Sequence, residues 1–263
     1  MSRSAVIDFH CHVDLYPDPK GLVAEIAQRR CYVLAVTTTP LAWVGTCAVV
    51  GDAPRIQVGL GLHPELVAQR HREVSEFERL LPQARYVGEI GLDGSARHRG
   101  SFRLQQEVLR ELLRLMAQAG GRIMSIHSRG AATAVLDEVE RQPDAGVAVL
   151  HWFNGSNGEL LRAVHLGCWF SVGPVMMQTM RGQALLKRMP RDRVLTESDG
   201  PFAREDGRPI GPCGIMNVVR VLGAVWQMSE DDVEQQLSTN LRTLAGTWSP
   251  PCPLPSSRYC APV

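Results

Sequence analysis

Six side chains of metal-binding type stand at separated points along this chain: His10 and His12, Glu89, His127, His151 and Asp199. His10 and His12 lie two residues apart, just past a short apolar run. In extended backbone, residues i and i+2 point to the same side, so both imidazoles can reach one point. Glu89 ends an otherwise apolar run within Gly88-Glu-Ile-Gly-Leu-Asp93. A carboxylate there is costly to bury unless it is paired or coordinates a cation. His127 and His151 end further runs, after Ser125-Ile126 and Val149-Leu150, and Asp199 follows another in Thr196-Glu-Ser-Asp-Gly200. Singly, each has an ordinary reading as a core histidine or a salt-bridge partner. Together, four imidazoles and two carboxylates suit Zn²⁺, Mn²⁺ or a similar borderline ion, with the oxygen-preferring Mg²⁺ as a third candidate. Six groups are too many for one tetrahedral ion. Two divalent metal ions with Glu89 as the natural bridge fit better, and the lowered pKa of a shared water makes hydrolysis the natural chemistry.

The elements that must position these groups are legible in the same stretches. Apolar, β-branched runs at Ala5–Asp8, Tyr32–Thr37, Ile56–Gly61, Tyr86–Ile90, Arg122–Ile126, Val147–Leu150, Cys168–Ser171 and Arg193–Thr196 read as strands. Continuous rather than alternating apolar character suits strands buried on both faces of a parallel sheet. Between them lie amphipathic segments. The clearest is Ser101–Ala119, with Val108, Leu112, Leu115 and Ala119 at helical spacing. The last helix starts at Ser229, whose spacing to Asp232 resembles a capping box, and carries a stripe of Val233, Leu237, Leu241 and Leu244. Eight strands alternating with helices predict an α/β fold, a (β/α)8 TIM barrel with an additional C-terminal helix. All six candidate ligands then fall where strands finish, at the barrel mouth where active sites are built.

Composition sets the outer bounds. The chain has 263 residues, 44% of them hydrophobic and 21% charged, which is ordinary globular usage. No apolar stretch approaches the roughly 18 residues of a membrane span, and no apolar signal core opens the sequence. A cytoplasmic protein without a membrane partner is expected. A net charge of +1 excludes a protein that coats long duplex DNA, because phosphate neutralisation by basic residues supplies most of that affinity. Seven scattered cysteines without a CxxC pair read as reduced, buried thiols. Residues 1–246 form the expected barrel. Residues 247–263, rich in proline, form an extended or disordered tail in which Trp248 and Tyr259 are candidates for docking.

Taken with Asp8-Phe-His-Cys-His-Val-Asp14, Gly61-Leu-His-Pro64, His127-Ser-Arg129, His151-Trp-Phe-Asn-Gly-Ser156 and Glu197-Ser-Asp-Gly-Pro-Phe202, the chain resembles the TatD family of metal-dependent deoxyribonucleases, barrels of the amidohydrolase superfamily. The resemblance covers Val6 to about Leu244. It implies a two-metal phosphodiesterase acting on DNA, on single strands or strand ends. It implies that His10, His12, Glu89 and Asp199 hold one ion and that Glu89, His127 and His151 hold the second. Asp199 would orient the attacking hydroxide and receive its proton, making Asp199, Glu89 and His63 the catalytic set. His63 would contact the scissile phosphate, and Arg129 could hold a phosphate bidentately. Asp8, Asp93 and Glu197 look like outer groups that orient the histidines. The run Arg97-His-Arg99 with Arg103 reads either as a phosphate-binding patch or as a solvated face.

Two departures from the family pattern stand at the rim. The usual aromatic residue after Gly-Leu-Asp is replaced by Gly94-Ser95, and Ala203-Arg-Glu-Asp-Gly-Arg-Pro-Ile-Gly-Pro212 stands where a different loop is usual. These put substrate choice, rather than chemistry, in question. With Thr37-Thr-Thr-Pro40 and the proline-rich tail, the chain also looks somewhat like the TatD-type component of bacterial Qat anti-phage systems, which implies defence-system protein partners. Two alternatives stand beside the nuclease. One is hydrolysis of another ester, an amide or a modified nucleotide, since fold does not choose among these. The other is a subunit whose main role is binding within a multi-protein defence complex.

Overall fold

The computed structural model describes residues 6–248. Eight parallel strands follow one another around a single sheet in chain order. They are β1 (Val6–Cys11), β2 (Cys31–Val36), β3 (Ile56–Leu60), β4 (Tyr86–Gly91), β5 (Arg122–His127), β6 (Gly146–His151), β7 (Trp169–Val172) and β8 (Val194–Thr196). The expected (β/α)8 barrel is thus formed, from the eight runs expected. β1 is longer than its apolar run and extends to Cys11, so His10 lies inside the strand and only His12 stands past it. Its burial explains the extension. His10, like Ile7 and Phe9, is lodged in the interior, which the hydrophobic pattern alone does not reveal.

The ring closes by side chains and loops rather than by a β8–β1 ladder. The Thr196 hydroxyl donates to the Ile7 carbonyl. The Asp199 N–H donates to the His10 carbonyl at 2.9 Å and the His12 N–H to the Gly200 carbonyl at 2.8 Å. Asp8 completes the seam, its Oδ1 accepting the Ser198 N–H at 2.9 Å. Ligand-bearing segments from the two ends of the sheet are therefore fastened to each other directly.

Helices cover the outside. Phe102–Gln118 buries Val108, Leu112 and Leu115 as its spacing predicts. Met216–Trp226 follows β8, and Glu230–Gly246 is the additional C-terminal helix. Ser229 caps that helix, accepting the Asp232 N–H at 3.1 Å, and Val233, Leu237 and Leu244 are its buried stripe. Of the tail expected over 247–263, Trp248 lies within the described residues and is docked. Its indole N–H donates to the Gly120 carbonyl at 3.2 Å, and the Arg122 guanidinium stands 5.0 Å from the ring centre. Arg122 itself is buried and donates to the carbonyls of Leu81, Ala84, Ala119 and Gly121. The remainder of the tail, Tyr259 included, lies outside the described residues. Cys11, Cys31, Cys47 and Cys168 are buried thiols. Among the described residues, no helix is long and apolar enough to cross a membrane.

Two irregularities position the site. Along β1–β2, Asp8 pairs with Val33 and Cys11 with Ala35, so Phe9 and His10 together face one residue, Leu34. Along β4–β5, Val87 pairs with Met124 and Ile90 with Ile126, so Gly88 and Glu89 face Ser125. A bulge of this kind bends the strand and re-aims the side chain it carries. Both bulges fall on a candidate ligand. Past β3, Gly61 is packed so closely that a Cβ there would lie 1.7 Å from the Thr37 carbonyl oxygen. Only glycine permits that approach. It lets the Leu62 N–H reach the Glu89 carbonyl at 3.0 Å and the His63 N–H the Thr38 carbonyl at 2.9 Å, which sets His63 beside Glu89.

Candidate metal centre

Glu89, 2% exposed in the second half of β4, is the hub of the barrel mouth. Its Oε2 lies 3.4 Å from His10 Nε2 and 3.2 Å from His12 Nε2. Its Oε1 lies 2.8 Å from His127 Nδ1, 3.1 Å from His151 Nε2 and 3.2 Å from His63 Nε2. Asp199 Oδ1 stands 3.8 and 3.9 Å from the same nitrogens of His10 and His12. The six candidate ligands, drawn from β1 and the residue after it, β4, β5, β6 and the loop after β8, thus meet around one carboxylate. Among the described residues, His10, His12 and Glu89 form one ligand cluster, His10, His151 and Glu197 a second, and His63, Glu89 and His127 a third. Each carboxylate oxygen of Glu89 serves a different cluster, the arrangement a bridging group between two ions requires. This is a two-metal site in its donor set.

The outer nitrogens test whether the imidazoles are set for ligation, since a ligating histidine usually gives its other nitrogen to a hydrogen-bond partner. His10 Nδ1 meets the Ser125 hydroxyl at 2.7 Å. His127 Nε2 meets Asp93 Oδ2 at 2.9 Å. His151 Nδ1 faces Glu197 Oε1 at 3.7 Å. His12 Nδ1 and His151 Nδ1 are both buried without a hydrogen-bond partner. His10 and His127 are therefore anchored by hydrogen bonds with the other nitrogen turned to the centre, and His151 by its ion pair with Glu197. His63 differs. Its Nδ1 accepts the Glu65 N–H at 3.2 Å, so in the neutral ring Nε2 carries the proton and faces Glu89 Oε1 at 3.2 Å as a donor.

The outer carboxylates have distinct tasks. Asp93 holds His127 and takes the Ser95 N–H on Oδ1 at 2.8 Å. Glu197 accepts the Trp152 N–H on Oε1 at 2.9 Å and the Ser171 hydroxyl on Oε2. Asp8 touches backbone rather than an imidazole ring, accepting the N–H groups of His10 and Ser198. Ser125 is the supporting residue that sequence reasoning missed. Its place two residues before His127 on a strand, hence on the same face, was the available signal.

Electrostatics follow from this crowding. Burial works to raise Glu89, but the imidazoles of His63, His151 and His10 outweigh it and hold the carboxyl well below the usual range. Burial opposes charge on His151, yet Glu89 and Glu197 raise it well above the ordinary histidine value. His127 is raised likewise, by Asp93 and Glu89 against burial. His10, desolvated and next to His151, is lowered. Burial lifts Asp199 to about 7 against the pull of His151 and His12. The metal-free centre is a knot of carboxylates and partly protonated imidazoles, which divalent cations would relieve by displacing protons.

The centre opens into a cavity of about 420 Å³ bordered by His12, His63, Glu89, His127, His151 and Asp199, with Glu65, Arg129, Trp152, Asn154 and Phe202 around it. Arg129 is exposed on this wall. Arg97 and Arg99 are exposed on the turn Ala96–Ser101 and do not border the cavity, and Arg103 pairs with Glu107 at 3.3 Å. At Gly94, a Cβ would lie 2.3 Å from the Gly130 carbonyl oxygen. The loop carrying Arg129 therefore fills the space that a larger residue at 94 would need.

The TatD related DNase family matches residues 7–246. The crystal structure of YjjV, a TatD homologue from Escherichia coli K12, superimposes with a TM-score of 0.81 at 25% identity, covering 91% of this chain and 97% of that one. Human deoxyribonuclease TATDN3 is 30% identical over 221 residues, 74% of this chain and 78% of its own length. The 3'-5' ssDNA/RNA exonuclease TatD of Pantoea vagans is 27% identical over 199 residues, 70% of this chain and 75% of its own.

Proposed function

The chain belongs to the TatD related DNase family, a metal-dependent hydrolase of the amidohydrolase type, and from that premise we propose that it cleaves phosphodiester bonds in DNA, on single strands or at strand ends. The observation that carries the proposal is the meeting of four imidazoles and Asp199 around one buried, bridging Glu89. His10, His12, Glu89 and Asp199 would hold one ion, and Glu89, His127 and His151 the second. Bound there, a pair of divalent ions supplies Lewis-acid polarisation of a phosphoryl oxygen and a water acidic enough to attack at neutral pH.

The chain's own groups do the rest. Asp199, whose Oδ1 stands 3.8 and 3.9 Å from His10 and His12 Nε2, is placed to accept a proton from the attacking water. His63, with its Nδ1 occupied by the Glu65 N–H, presents Nε2–H to a phosphate oxygen at the centre. Arg129, exposed on the cavity wall without a carboxylate partner among the described residues, offers two parallel donors to a neighbouring phosphate. Asp93 and Glu197 keep His127 and His151 turned inward, and Asp8 keeps the His10 and Asp199 segments in register. The hydrolase unit extends through residue 246, the end of the family match, with residues 247–263 as an appendage. The likeness to the Pantoea vagans 3'-5' ssDNA/RNA exonuclease supports a strand end as the substrate.

End-labelled single-stranded and duplex oligonucleotides, given to the Mn²⁺-loaded protein, test the reading. A ladder that shortens from one end of the single strand is expected. Protein that holds both ions but leaves every oligonucleotide intact would sink DNA as the substrate and favour another ester or amide.

A further inference from the structure

Phe202 is 61% exposed, yet it does not sit on an open surface. It stands three residues from Asp199, borders the cavity of the metal centre, and sets its ring edge-to-face against His12 with the centroids 5.1 Å apart. The segment that carries it is heavily fastened. The Phe202 and Ala203 N–H groups both donate to the Asp199 carbonyl at 3.0 Å, and the Ile210 N–H donates to the Ala203 carbonyl at 3.0 Å. The Tyr16 hydroxyl ties down the Ile210 carbonyl at 2.6 Å. Gly200 is packed so tightly that a Cβ there would lie 2.0 Å from that hydroxyl. A large apolar ring is thus held rigidly in water beside the reacting centre. Leaving it exposed forgoes the burial free energy of a phenylalanine, and no packing need is met by its position.

Trp152 borders the same cavity and sits at φ 38°, a left-handed conformation that bulky residues rarely adopt. The Trp152 N–H on Glu197 holds it there. Arg129 stands on the cavity wall as well, and His63 donates from the centre. The cavity therefore combines cation sites and donors for phosphate with the exposed aromatic surface of Phe202 and the half-buried ring of Trp152. That pairing fits a nucleotide, whose base presents a flat apolar face next to its phosphate, better than it fits a simple phosphate ester.

We propose that Phe202 is a specificity-determining residue: its exposed ring stacks the base of the nucleotide whose phosphate lies at the metal centre, with Trp152 forming the apolar wall of the same pocket. Stacking on one aromatic face is sequence-tolerant, because every base has a π-face, and an alanine substitution removes enough to weaken binding by about tenfold. The inference rests on the nucleic-acid reading above, and the two can fail separately.

The experiment uses the full chain, wild type and Phe202→Ala, Phe202→Leu and Phe202→Tyr. Binding to chelator-treated protein is read with a short single strand whose terminal base is 2-aminopurine, a fluorophore quenched on stacking. Cleavage by the Mn²⁺-loaded protein is read on the same strand and on one with an abasic terminal nucleotide. Quenching by wild type and Phe202→Tyr, its loss in Phe202→Ala and Phe202→Leu, and a KM raised about tenfold by alanine on the normal strand but not on the abasic one are expected. Equal KM changes on both strands, or quenching that survives in Phe202→Ala, overturn the stacking role while leaving the nuclease reading intact. Quenched binding without any cleavage supports the stacking site and refutes the nuclease. Absence of both binding and cleavage overturns the two together.

Discussion

Replacing Asp93 by asparagine isolates one arm of the metal centre. Asp93 Oδ2 accepts the His127 Nε2–H at 2.9 Å, while Oδ1 takes the Ser95 N–H at 2.8 Å. Asparagine can keep the Ser95 bond only by turning its NH₂ toward His127, so that donor faces donor. The lost bond is charge-assisted, of the kind that contributes about 1.5–3 kcal/mol. At roughly 1.4 kcal/mol per decade, the ion held by His127 should bind about ten- to a hundredfold more weakly, the range found for outer partners of metal-bound histidines. The ion between His10 and His12 does not depend on this bond, since His10 is held by Ser125. The assay is competition of the chelator-stripped protein against a fluorescent Zn²⁺ indicator, fitted with two sites, with thermal melting as a control on folding. One site weakened by the stated factor, with the other within about twofold, is expected. Two unchanged affinities, or two that fall together at unchanged melting temperature, would refute the assignment of His127 to an ion of its own.

Metal affinity should rise with pH. His151 and His127 both have raised values in the metal-free chain, because Glu89, Glu197 and Asp93 favour their protonated forms against burial, and ligation requires the neutral ring. Binding therefore displaces protons above the ordinary histidine value of 6.5, and calorimetry in buffers of different ionisation heat should show proton release at pH 7; none would contradict the raised values. Trp248→Ala should destabilise the chain by about 3–5 kcal/mol, the usual cost of emptying a buried tryptophan site, lowering the melting temperature by roughly 10 °C. A melt unchanged by the substitution would show that the docked indole does not anchor the end of the last helix. Gly61→Ala should prevent native folding or displace His63, since its Cβ would strike the Thr37 carbonyl. A variant with wild-type melting and activity would rule out that close approach.

Much of this was legible in the sequence, for a physical reason. Strands buried on both faces leave continuous apolar runs, and polar residues near the ends of several such runs, as at Glu89 and His151, each ordinary singly, converge on one mouth once the runs form a barrel. What escaped is what depends on residues far apart in the chain. The bulges at His10 and Glu89 arise from register against β2 and β5, which neither strand encodes alone. The hydrogen bond of Ser198 to Asp8 closes the ring across 190 residues, so Asp8 read as a partner of histidine when it is a partner of backbone. The short hairpin of Arg204–Glu205 with Arg208–Pro209 depends likewise on contacts with no local periodicity, and so does the partner of Trp248, a docking candidate from the sequence whose site at Gly120 was not legible there. Arg103 resolves toward the solvated reading, through its exposed pair with Glu107.

The most direct test of a two-metal centre that cuts DNA is a single Mn²⁺ titration of chelator-stripped protein, with bound metal and cleavage of labelled single-stranded DNA followed in the same samples. Two ions per chain are predicted, with cleavage appearing as the second site fills and absent from Asp199→Asn at every concentration. Cleavage by the fully stripped protein, saturation at fewer than two ions, or undiminished cleavage by Asp199→Asn would contradict it.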